Sequence, residues 1–183
     1  MRTCLNKKST YIYVACLLYM CTFFVFLFLA LTLNVDTRKL LLEDTIYDPD
    51  IMCQYSDMEK FSRIALNNFK CILLNYVGIL TFGLSSTFSL FRGASMSGYI
   101  FGSSIVSNGF LYSIYKILPH AFELWAVISS ASESMHIGFA FFSKCMNRRI
   151  IKVDFHKTLN IFILNTIIII ISAFCEVYIS FKL

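Results

Sequence analysis

The chain has 183 residues, 57% of them hydrophobic and 15% charged, with 19 phenylalanines, two prolines and a net charge of +5. Soluble domains carry about 25% charged residues, and disordered chains are polar and poor in aromatics, so both classes are excluded. What remains is an integral membrane protein, with an all-α bundle of about five transmembrane helices in one domain as the expected fold.

A bilayer core takes roughly 20 apolar helical residues. Residues 9–35 hold no charge, and Tyr11–Leu33 reads as the first span. Its apolar run is longer than a signal h-region and no small-x-small site follows, so it reads as an uncleaved anchor. Residues 34–70 hold seven acids and five bases and read as a water-exposed segment. Within it Asp48-Pro49-Asp50 signals a turn. Met58, Phe61, Ile64, Ala65, Phe69 and Ile72 are spaced for a one-sided helix, either lying on the membrane surface or capping the bundle.

From Cys71 to Ser143 there are four charges: Arg92, Lys116, Glu123 and Glu133. This stretch has room for three spans, about 71–91, 94–115 and 119–142, with breaks near Arg92-Gly93 and Lys116–Pro119. Residues Thr158–Cys175 are free of charge, and the last span covers about 158–181.

With five spans, Arg2, Lys7, Lys8, Arg92, Lys144, Arg148, Arg149, Lys152 and Lys157 fall on one side. The positive-inside rule makes that side cytoplasmic, with the N-terminus inside and the C-terminus outside. The same bias accounts for the net positive charge without a nucleic-acid partner. The lipid bilayer is the first expected partner. Seven cysteines lack CxxC spacing, nothing reads as a cofactor or metal site, and a Cys53–Cys71 disulfide is admitted by the topology.

Ala94, Gly98 and Gly102 recur every four residues, with Gly109 two turns on. Such a stripe lets helix backbones approach closely, within the chain's own bundle or in a homo-oligomer. Ser85, Ser86, Ser89, Ser129, Ser130, Ser132 and Ser134 offer interhelical hydrogen bonds or a polar path.

The fourth span opens Leu118-Pro119-His120-Ala121-Phe122-Glu123-Leu124-Trp125. Pro119 suits a first helical turn, and an acid there is favoured by the helix dipole. His120 and Glu123 share a face, and Glu133 and His136 repeat the spacing. Ionisable groups at membrane depth are functional candidates by default. Glu123 and Glu133 are about 15 Å apart along a helix, too far for one metal ion. HExxH is absent, as are glycine-rich phosphate loops. A buried polar network of His120, Glu123, Glu133 and His136 that fixes helix register is the expected role, with an ion or proton relay as the alternative, and no enzyme is expected.

Residues from about Asn67 to Phe142 resemble the stage II sporulation protein M family of bacterial membrane proteins. The resemblance rests on Pro119-His120, then Glu123-Leu124 and Ala126, closing on Gly138, with Asn75, Gly83, Gly93 and Gly98 upstream. Here Ala121 and Trp125 replace a family Gly and Pro, Arg92 replaces an Asn, and Glu133 lies in a normally apolar stretch. The resemblance implies a five-span protein of the bacterial cytoplasmic membrane. For function it implies either a scaffold for cell-wall hydrolases during sporulation engulfment, or a small protein of circular bacteriocin systems. The latter accompany ATP-driven transporters in export or self-immunity. The reading taken forward is a non-enzymatic accessory subunit of an ABC-type peptide export or immunity system. In it, Lys144, Arg148, Arg149 and Lys152 contact a membrane or ATPase partner. The alternatives are a scaffold acting through residues 34–70, and a small ion- or proton-coupled transporter.

Overall fold

The computed structural model describes residues 6–33, 54–118, 120–146 and 153–180. All regular structure among them is helical: α1 (Asn6–Leu33), α2 (Asp57–Val77), α3 (Leu84–Asn108), α4 (Phe110–Ile117), α5 (His120–Cys145) and α6 (Phe155–Cys175). The last helix continues as a π-helical turn, Glu176–Ser180.

Two helical stretches, Lys8–Leu33 and Phe155–Tyr178, are long and apolar enough to cross a membrane. The helices between them are diluted by serine, asparagine and glycine because they supply the polar interior. Ser86, Ser130, Ser134, Asn68 and Asn75 are all buried, while Leu17, Phe28, Phe88 and Leu164 point outward. In α3 and α5 buried serines thus accompany exposed phenylalanines, the reverse of the usual pattern of a water-soluble bundle.

Contacts fix the helix directions. α1 and α3 run parallel: Tyr19 shares a core cluster with Leu90 and Ala94, and further along Leu27 and Ala30 lie against Gly102. α2 runs against α6, with Ile64 on Ala173 and Val177 and the Tyr76 ring 5.3 Å from Phe162. α5 also runs against α6, since Ala126 clusters with Ile169 and Glu133 meets Thr158. So α1, α3 and α6 point one way, and α2 and α5 the other.

The expected break at Arg92-Gly93 does not occur. α3 passes through it without interruption, with open space beside the helical Gly93. The chain reverses instead at 78–83, between α2 and α3. There Phe82 and Gly83 adopt φ +54° and +95°, and the Gly83 N–H donates to the Gly78 carbonyl at 2.7 Å. Two successive left-handed residues end a right-handed helix. Arg92 is therefore an exposed mid-helix residue and leaves the count of charges at a turn.

The segment Met58–Cys71 neither lies apart on a surface nor forms a separate cap. It is continuous with α2 and buries Ile64, Asn68 and Ile72 in the bundle. Its start is fixed by a capping box, in which Ser56 Oγ accepts from the Glu59 N–H and the Glu59 carboxylate accepts from the Ser56 N–H.

Candidate functional site

The stripe of small residues is covered by α1. A Cβ on Gly98 would collide with the Phe23 carbonyl oxygen, and one on Gly102 would sit 2.6 Å from Ala30 Cβ. Ala94 is fully buried beside Tyr19. Gly109 does not join them: it has φ +85° and nothing within 4 Å, and it separates α3 from α4.

A polar seam ties α2, α3 and α5 at mid-depth. Asn75 Nδ2 donates to Ser130 Oγ at 2.8 Å and to the Val127 carbonyl at 3.2 Å. Ser86 Oγ donates to the Asn75 carbonyl at 2.8 Å and pairs with Ser134 Oγ at 2.9 Å. Gly138 seats α5 directly on the 78–83 turn, where a Cβ would lie 2.9 Å from Gly83 N and 3.1 Å from Gly78 O. Asn75, Ser86 and the 78–83 turn thus meet α5 in succession along Ser130, Ser134 and Gly138.

The four ionisable residues of α5 divide between the two ends of the bundle. At one end Lys8 Nζ lies 2.8 Å from Glu133 Oε2, and Thr158 Oγ1 donates to Glu133 Oε1 at 2.8 Å. His136 packs there with its ring 5.6 Å from that of Tyr11. Asp154 caps α6 by accepting from the Lys157 N–H. That hydrogen bond, and the nearby Lys157 charge, hold the Asp154 carboxyl below its usual range.

At the opposite end, His120 and Glu123 in the first turn of α5 face the last residues of α6. His120 Nδ1 lies 3.4 Å from Glu123 Oε2, and His120 Nε2 lies 3.5 Å from Glu176 Oε1. The side chains of His120 and Glu123 are 31% and 19% exposed, whereas that of Glu176 is 5% exposed. Glu176 Oε2 is buried with no hydrogen-bond partner. One potential ligand atom from each of the three residues lies within 4.8 Å of the others.

The expected single network of His120, Glu123, Glu133 and His136 is therefore two separate clusters, each completed from another helix. Glu176 is not part of the α5 motif because it comes from the end of α6, remote in sequence from His120 and Glu123. Its signal was an acid inside the expected span 158–181. Leu124 packs against the core of α1 and α3, and Trp125 is exposed. Lys144 is exposed in the last turn of α5, where a cation complements the helix dipole. Pro119, Arg148, Arg149, Lys152 and Cys53 lie outside the described residues.

A family model described as stage II sporulation protein M matches residues 15–181. An uncharacterized protein of Methanocaldococcus jannaschii is 33% identical over 128 residues, covering 67% of this chain and 72% of the relative. No solved structure matches. The matched region runs from within α1 through the π-helical turn and takes in Asn75, Gly83, Gly138, Glu133, His136 and the His120–Glu123–Glu176 cluster, while Lys8 and Tyr11 precede it. The chain belongs to the stage II sporulation protein M family.

Proposed function

We propose that this protein is a multi-pass, non-enzymatic accessory subunit of a membrane-embedded peptide export or immunity system. Its five long helices would each cross the cytoplasmic membrane, with Lys8, Lys144 and Lys157 at the cytoplasmic end and Glu176 at the outer end. The alternating helix directions are compatible with that topology, and the basic residues agree with the positive-inside rule.

The observation that carries the reading is how the interior is filled. Gly78, Gly98, Gly102 and Gly138 are each in contact too close to admit a Cβ without movement. Interhelical space of this kind has no room for a peptide. A groove of about 430 Å³ between α1, the 78–83 turn and α5 is lined mainly by apolar residues, among them Tyr11, Val14, Phe82, Leu84, Met135 and Phe139. Large apolar side chains are concentrated on the outside instead. A protein built this way acts on a peptide through a partner, and the exposed Lys144 marks the face where a cytoplasmic ATPase would dock.

Crosslinking in the native membrane, followed by purification in mild detergent and identification of the bound proteins, tests this. A co-purifying ATPase or exporter subunit is expected. Cell-wall hydrolases captured through residues 34–70 would replace the reading with a scaffold. Recovery of the chain alone would refute both.

A further inference from the structure

We propose that His120, Glu123 and Glu176 form a binding site for one divalent transition-metal ion of the zinc or manganese kind, which clasps the start of α5 to the end of α6. The proposal goes beyond the accessory role and does not depend on it.

The donor set is one imidazole nitrogen and two carboxylates. Borderline divalent ions take such donors at about 2.0–2.2 Å. The ligand atoms already lie within 4.8 Å of one another, so small side-chain movements would bring them around a single ion. The i, i+3 spacing of His120 and Glu123 places both on one helical face, and Glu176 comes from the facing helix.

Two independent features point to a ligand here. The first is the Glu176 carboxylate, 5% exposed, whose Oε2 is buried with no hydrogen-bond partner. A buried unsatisfied oxygen of this kind is costly, and a metal bond would offset that cost. The second is the backbone: α6 changes from α- to π-helical at Glu176. Such turns are rare and recur at functional sites.

Charge favours the same conclusion. Glu123 and Glu176 bring two carboxyl groups together, and each lies against the same imidazole. A histidine supplies at most one positive charge, whereas a divalent ion neutralises both carboxylates. The partly exposed His120 leaves a route by which an ion reaches the buried Glu176. A water or a substrate atom would complete the coordination, because three protein ligands leave an open position.

The test uses the full chain, purified in detergent and stripped with chelator. Titration with Zn²⁺ should show saturable binding of one ion per chain and a rise in melting midpoint. Glu176→Gln and Glu123→Gln should each weaken binding by about tenfold or more. His156→Ala should not, because His156 is a remote surface histidine. Should the glutamine variants fail to fold, pulsed electron paramagnetic resonance of Mn²⁺ on the wild-type chain is decisive. A single directly bound histidine nitrogen, absent when His120 is replaced by Gln, is expected. Absence of saturable binding, binding undiminished in Glu176→Gln, or loss of binding in His156→Ala would each overturn the proposal.

Discussion

Glu133 and Glu176 are both more than nine-tenths buried, on adjacent helices at opposite ends of the bundle. Glu133 has a partner for each oxygen: the Lys8 ammonium pairs with Oε2 by charge, without hydrogen-bond geometry, and the Thr158 hydroxyl donates to Oε1, both at 2.8 Å. Glu176 meets an imidazole at 3.5 Å and has a bare second oxygen. A closed pair of the first kind holds three helices, α1, α5 and α6, in register. An open one of the second kind retains bonding capacity for something else. Burial alone does not separate these roles; the count and charge of the partners do.

The sharpest way to break the contrast is Lys8→Ala, which leaves Glu133 buried without its cation. Removing one partner of a buried pair costs about 3–5 kcal/mol. Because Lys8 is 41% exposed, solvent screening reduces this to about 2 kcal/mol, visible as a clear drop in melting midpoint in detergent. Gly138→Ala should cost about 1–2 kcal/mol by forcing α5 off the 78–83 turn, and a double-mutant cycle with Lys8→Ala should be close to additive. Thr158→Val removes the second bond to Glu133 and should cost about 1 kcal/mol in the same assay. Glu176→Gln, measured in chelator, should change the midpoint by less than any of these, since it removes a charge that lacks a saturating partner. A Glu176→Gln loss as large as that of Lys8→Ala would erase the distinction between the two ends.

The smallest effect belongs to Asp154. Its carboxyl is held below the usual range in the folded protein, so its stabilisation is present above the unfolded value, about 3.9. It is lost as pH falls through the lower folded value. Asp154→Asn should therefore lower stability slightly at neutral pH and flatten the acid side of the profile, the two proteins converging as the wild-type carboxyl protonates.

Much of the fold was legible because lipid imposes a simple code. The apolar runs of α1 and α6, the start of α5 near Pro119-His120 and the packing role of Gly98 and Gly102 all follow from composition and spacing. The reversal at 78–83 is not legible in the charge pattern, because this turn contains no charged residue. Arg92, in turn, marks no break: a long side chain can lie along a helix with its head directed elsewhere, so its Cα need not sit at an interface. The ionisable clusters were half-legible. His120 and Glu123 are local in sequence and were found, but their partner Glu176 comes from α6. Glu133 shares a helical phase with Glu123, but its partners are Lys8 of α1 and Thr158 of α6 at the opposite end of the bundle.

The parallel contact between α1 and α3 also constrains how the protein is made. A helix emerging into a membrane usually finds its neighbour in the next segment to follow, as a hairpin. Here α1 must wait until α2 has been made and the chain has turned back, because the surface that receives Phe23, Leu27 and Ala30 is made only with Gly98 and Gly102. In the interval Lys8 has no Glu133 to meet, since α5 is made later still. The order of synthesis thus leaves α1 as a provisional anchor, and the bundle closes around it only near the end of translation.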